Sequence, residues 1–268
     1  MPDSEKKPDL IATDEAKEAE APAAPEGDSG APLLSHLLAL RKVLMVSALA
    51  VAVAFFAVYS LCIDPLMAWI MSPIEQRGID VIYTAMSEAL VTKFKVALIA
   101  GAIAASPVVI WQVWGFIKPA LYPHEKTRFR VMFFVALLLF LMGVTFCYFA
   151  VYTLAVDFFL VAGDNLARPM LSIDKYVGFL FGFIVPFGVA FQLPVAIYVT
   201  TRFGLTDHKM LASKRKYVIL GIFVLAAILT PPDVVSQIAL GVPMMLLYEI
   251  GILVARFTKS RAEEEIIE

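Results

Sequence analysis

The chain has 268 residues, 60% of them hydrophobic and only 17% charged, with a formal net charge of −2 and a mean hydropathy of +0.80. A soluble domain of this length carries about a quarter charged residues, so long uncharged apolar runs mean solvation by lipid and exclude a water-soluble globular fold. Cys62 and Cys147 lie inside apolar runs with no metal-ligand spacing to His36, His124 or His208, and read as packed thiols.

Residues 1–32 hold nine acids against Lys6, Lys7 and Lys17, are rich in Ala and Pro, and lack apolar periodicity. Such a stretch cannot bury enough surface to offset its ordering entropy, so a disordered acidic N-terminal tail is expected. No basic region precedes an apolar run at the very start, so a cleavable signal peptide is not expected. The segment Ser35–Lys42, SHLLALRK, then places Arg41 and Lys42 at the mouth of the first apolar run.

Four uncharged runs, Val43–Ile63, Val96–Ile117, Val131–Val156 and Tyr176–Thr201, each reach the ~20 residues that cross a hydrocarbon core of ~30 Å. Between the first two, residues 64–95 contain DPLMAWIMSP, an extended IDVIYT and a helix start at Ser87–Glu88; residues 157–175 form a second cap. The last apolar region reads as a hairpin turned at Pro231, Pro232 and Asp233. Its first arm, Tyr217–Pro232, has 16 residues, about 24 Å of helix, which must thin the bilayer locally or stop short of the far interface. The second arm is interrupted by Glu249.

The expectation is an all-α membrane protein with six transmembrane helices in residues 33–257, the spans lying at about 43–63, 96–117, 131–156, 176–201, 217–232 and 234–255. The fifth and sixth are expected to be short, and residues 258–268 to be a charged tail. Fourteen Lys and Arg flank one side of this topology and five the other, which places both termini in the cytoplasm.

Intramembrane polar residues are costly and are functional candidates by default. Here they are Gln112, Gln192, Gln237, Glu249 and, at the hairpin tip, Asp233. Each of the last four except Gln237 has a structural alternative: Gln192 as interhelical glue two residues before the helix-kinking Pro194, Asp233 as an N-cap, Glu249 in an ion pair with Arg256 or Lys216. No P-loop, H-E-x-x-H motif, carboxylate pair or proton relay occurs, so neither catalysis nor a cofactor is expected, nor is a nucleic-acid partner. The loop WQVWGFIKPALYPHEKTRFR, Trp111–Arg130, sets a single acid, Glu125, among Lys118, Lys126, Arg128 and Arg130. Glu125 either balances these neighbours or offers a carboxylate to a cationic ligand such as a guanidinium.

Together SHLLALRK, WQVWGFIKPALYPHEKTR, FGVAFQLPVAI and ILTPPDVVSQIALGVPMMLLYEIGI resemble the TatC family, the large polytopic subunit of the twin-arginine protein translocase. The resemblance runs in order from about Leu34 to Phe257. It implies a concave, glove-like bundle with short fifth and sixth helices. The function it implies is that of a receptor for twin-arginine signal peptides, one that initiates export of folded proteins on the proton-motive force. It further implies residence in the bacterial cytoplasmic membrane, with small single-span TatA/TatB-type subunits, further copies of the chain and membrane lipid as partners.

By position, the resemblance assigns signal-peptide binding to Glu125, with Phe116 and Tyr122 beside it, and to His36, Leu40 and Arg41 of the N-terminal segment. Where the family pattern H-L-x-E-L-R has glutamate this chain has Ala39, so Glu125 acts alone, an acid of the tail substitutes, or binding is weakened. Gln192 matches a polar position facing the concavity. Asp233 and Gln237 match the outer hairpin and its partner contacts, and Pro73, Glu88, Lys95, Pro107 and Glu249 fall on further family positions. The alternative, a secondary transporter of a small solute using Gln192, Asp233 and Glu249 as waypoints, is opposed by the lack of an internal repeat.

Overall fold

A computed structural model of the chain describes residues 31–117, 126–163, 170–229 and 233–258. The chain divides into two compact units, Met1–Arg41 and Lys42–Glu268. The described part of the first unit is helical and belongs to α1 (Ala31–Leu61), which continues into the second. The expected tails, 1–32 and 258–268, lie almost wholly outside the described residues.

In the second unit, α2 (Ile63–Glu75) turns Ile63, Ile70, Met71 and Ile74 inward at helical spacing. Strand β1 (Asp80–Ile82) follows, within the stretch expected to be extended. The run expected as one span at 96–117 is two helices, α3 (Glu88–Ala104) and α4 (Ser106–Ile117), bent by 52°. The cause is Pro107, which has no N–H to give and whose ring crowds the preceding turn.

Helix α5 (Lys126–Phe146) passes through a π-helical turn, Cys147–Tyr152, into α6 (Thr153–Gly163). Strand β2 (Met170–Ser172) then pairs parallel with β1, Asp80 opposite Met170 and Ile82 opposite Ser172, so the two long interhelical segments close on each other. Helix α7 (Ile173–Ala190) breaks at Phe191–Gln192, just ahead of Pro194, and resumes as α8 (Leu193–Arg202). A short α9 (His208–Ser213) leads into α10 (Arg215–Leu229) and then α11 (Val234–Phe257).

The molecule is an all-α polytopic membrane bundle, with a two-stranded ribbon joining two of its connections. Among the described residues, four stretches are long and apolar enough to cross a membrane by themselves, namely Leu37–Leu61, Arg130–Val161, Ile173–Arg202 and Val234–Phe257; the bent α3–α4 pair makes a fifth. Helix α10, at 15 residues, is about 22 Å long and falls short of that test. Helix α11 differs from expectation. It runs 24 residues unbroken through Pro243 and Glu249 and is not short, because one ionisable side chain does not stop backbone hydrogen bonding.

The core is centred on α7: Val177, Leu180, Phe183 and Phe187 are almost fully buried, with Tyr152, Val96, Ile74 and Leu240 against them. Lipid tails are as apolar as leucine, so packing here depends on close approach. A Cβ on Gly143 would lie 2.7 Å from the Phe191 ring, and one on Gly188 would lie 2.9 Å from Phe140. Each glycine admits an aromatic ring from the facing segment, and together they seat α5 on α7.

Candidate functional site

The most densely connected polar cluster lies at the end of the bundle that carries the β1–β2 ribbon. Glu88 opens α3 and is 8% exposed. Its Oε2 accepts hydrogen bonds from the Thr84 N–H at 2.5 Å, the Thr84 hydroxyl at 2.7 Å and the Ala85 N–H at 3.1 Å. Its Oε1 accepts from the Ser172 hydroxyl and from the Asp174 N–H at 3.1 Å. One carboxylate therefore satisfies the backbone ahead of its own helix and the opening turn of α7.

Asp174 completes the arrangement. Its Oδ1 accepts from Lys95 Nζ at 2.5 Å and from the Thr92 hydroxyl at 3.4 Å. The cluster thus brings together two residues singled out in the sequence, Glu88 and Lys95, through a third that was not. Two more ion pairs join elements at this end, Arg77 to Asp157 at 2.6 Å and Lys93 to Asp64 at 2.7 Å. Arg77 also donates from Nη1 to the Pro73 carbonyl at 2.6 Å, which fixes Pro73 in the last turn of α2. Sequence reasoning missed these partners because they sit far apart along the chain; opposite charges in the two long connections were the only signal.

The polar groups of the spans are tied to neighbouring helices. Gln192 donates from Nε2 to the Ala136 carbonyl of α5 at 3.0 Å, the interhelical arrangement that was one of its two readings. Gln237 likewise donates to the Phe223 carbonyl of α10 at 3.0 Å. Asp233 caps α11, its Oδ1 accepting from the Ser236 N–H at 2.6 Å. Glu249 forms an ion pair at 2.8 Å with Arg215, in place of the expected Arg256 or Lys216. Pro107 lies at the α3–α4 bend, where it acts on the backbone.

The residues assigned to signal-peptide binding are only partly visible. Glu125 and Tyr122 lie outside the described residues, as does the side chain of His36. Phe116 is half-buried in the last turn of α4. In the first unit, Ala39, Leu40 and Arg41 are successive exposed residues of α1, with Leu40 38% exposed. Among the described residues no group of three or more His, Cys, Asp or Glu is arranged to hold a metal ion.

Comparison with known proteins places this architecture. The family model described as Sec-independent protein translocase protein (TatC) matches residues 35–243. A TatC from Carboxydothermus hydrogenoformans is 37% identical over 235 residues, covering 87% of this chain and 96% of the relative. The TatC of Escherichia coli K12 is 36% identical over 87% of this chain and 92% of its own. Two solved structures of the twin-arginine translocase receptor TatC superpose with TM-scores of 0.76 and 0.78 at 38% and 37% identity. They match 82% and 83% of this chain and 97% and 100% of theirs. With family, relatives and fold agreeing over most of its length, the chain belongs to the TatC family.

Proposed function

We propose that this chain is the signal-peptide receptor and core component of a twin-arginine translocase, exporting folded proteins across the bacterial inner membrane on the proton-motive force. The observation that carries this is the agreement over residues 35–243 with the TatC family together with the fold shared with solved twin-arginine receptors. The chain is a transport component and has no catalytic role. Against the solute-transporter alternative stand the structural tasks of its three waypoints: Gln192 bonds the Ala136 carbonyl, Glu249 pairs with Arg215 and Asp233 caps α11.

The bundle crosses the membrane six times, counting the bent α3–α4 pair once and α10 as a short fifth crossing, and its helices enclose a concave, glove-like face. Residues 33–257 form the membrane domain between an acidic N-terminal segment and a charged C-terminal one. Both termini are cytoplasmic, which follows from the distribution of Lys and Arg. Its partners are cargo signal peptides, TatA/TatB-type single-span subunits, other copies of the chain and lipid. Glu125 receives the paired arginines, with Phe116, Tyr122, His36, Leu40 and Arg41 around the peptide; Asp233 and Gln237 serve the hairpin that meets a partner.

Photo-crosslinking tests the reading. A twin-arginine signal peptide in membranes that contain the partner subunits is expected to form adducts at positions around Glu125, and no adduct there overturns the assignment.

A further inference from the structure

We propose that the start of α10 binds one anionic phospholipid, its headgroup held between Lys214 and Lys216 and an acyl chain lying along Leu220, Val224 and Ile228. Lys214 caps the end of α9 and Lys216 is the second residue of α10. Their ammonium groups stand 5.7 and 5.1 Å from the centroid of one ring, that of Tyr217. Arg215, between them, is paired with Glu249 at 2.8 Å. Of three consecutive cations, the middle one is consumed internally and the outer two converge on one aromatic ring. Neither lysine meets a carboxylate among the described residues.

Two ammonium groups drawn to one ring repel each other, and an anion between them removes the repulsion while accepting two charge-assisted hydrogen bonds. What lies beyond the ring identifies that anion. Tyr217 is 59% exposed, and from it Leu220, Val224 and Ile228 follow at helical spacing on one face, 63%, 52% and 74% exposed. A bare apolar stripe, then an amphipathic tyrosine, then paired cations repeats the layering of half a bilayer: chains, interface, phosphate.

The brevity of α10 strengthens the match. At about 22 Å it is shorter than a ~30 Å hydrocarbon core, so its first residues are drawn toward the hydrocarbon edge, where headgroup phosphates sit. Charge complementarity then selects the occupant. A neutral helix laid on the stripe covers the apolar side chains but leaves both cations unmatched, and a zwitterionic headgroup brings a competing positive charge.

The test is native mass spectrometry of the full chain in detergent with equimolar phosphatidylglycerol and phosphatidylcholine. The unaltered chain is expected to retain one phosphatidylglycerol in preference, by about fivefold per lysine and roughly twenty-five-fold for the pair. The Lys214→Gln/Lys216→Gln chain is expected to lose that preference, and Lys209→Gln, altered on neighbouring α9, to keep it. A phosphatidylglycerol with a photoreactive acyl chain is expected to label Leu220, Val224 or Ile228 of the unaltered chain. Equal retention of both lipids by the unaltered chain overturns the proposal, as does an unchanged preference in the double variant. Labelling spread away from α10 also overturns it, since that is the result if another protein helix covers the face. The two measurements on the unaltered chain decide the matter even if the variant does not fold.

Discussion

Glu88 and Asp174 are both acidic and stand 86 residues apart in sequence, yet they are held side by side, with the Asp174 N–H donating to Glu88 Oε1 at 3.1 Å. The contact is tolerated because each carboxylate faces its own donors. Glu88 takes the Thr84 and Ala85 backbone and the Ser172 hydroxyl, while Asp174 turns to Lys95 at 2.5 Å. One bond network thus joins the start of α3, the ribbon and the start of α7.

Glu88→Ala leaves three backbone N–H groups and two hydroxyls without their acceptor, and unpaired donors in a buried position are costly. The variant is expected to unfold at a temperature lower by roughly 5 °C or more, measured by thermal denaturation in detergent. Glu88→Gln keeps an acceptor oxygen and is expected to lie between the two. A Tm equal to the unaltered chain's for Glu88→Ala means the network is not closed.

Gly101 permits the closest helix approach onto α1, since a Cβ there would lie 2.7 Å from the Phe55 backbone nitrogen and 2.9 Å from its Cα. A backbone cannot swing aside as a side chain does, so Gly101→Ala is expected to destabilise the fold by about 2 kcal/mol or more. Gly115 has nothing within 4 Å of the corresponding position, and Gly115→Ala is expected to be neutral or stabilising by up to ~1 kcal/mol. Comparing the two variants in reversible unfolding from mixed micelles checks the pair.

Asp233 acts on α11 through one oxygen, as an N-cap to the Ser236 N–H. Asp233→Ala is expected to cost about 1 kcal/mol of stability, and Asp233→Asn, which retains a capping oxygen, much less. If export activity in a reporter assay falls equally with both changes while only Ala lowers stability, Asp233 has a charge-dependent task beyond capping.

Ala39 occupies the position at which the family pattern carries glutamate. Ala39→Glu is expected to tighten binding of a paired-arginine peptide by roughly tenfold or more, the value of one charge-assisted hydrogen bond, and Glu125→Ala is expected to weaken it by at least as much. Fluorescence anisotropy with a labelled signal peptide measures both. Unchanged affinity in Ala39→Glu, with binding detectable, excludes a shared two-carboxylate site.

Gln192 was legible as a polar residue in a span, but its partner was not. Its bond to the Ala136 carbonyl adds to a carbonyl that belongs to a helix, so Gln192→Leu is expected to cost only about 0.5–1 kcal/mol, read in the same unfolding assay. A larger loss of export than of stability separates a transport role from glue.

Some features follow from residue order alone, because they depend on local chemistry and on lipid as solvent. Long uncharged runs must become helices, since no water is present to satisfy an open backbone. Asp233 after Pro231 and Pro232 must start a helix anew, and the motif order marks the TatC family before any coordinates. Other features exist only in three dimensions. The 52° bend at Ala105 was implicit in Pro107, but its effect depends on what the two halves pack against. The pairing of Lys95 with Asp174, of Arg77 with Asp157 and of Arg215 with Glu249 could not be read from the chain, since many opposite charges were available to each. Tertiary packing chose among them, for Lys95 by placing α3 against α7 and for Arg215 by placing α10 against α11, because a charge pairs with the partner the backbone brings within a few ångströms.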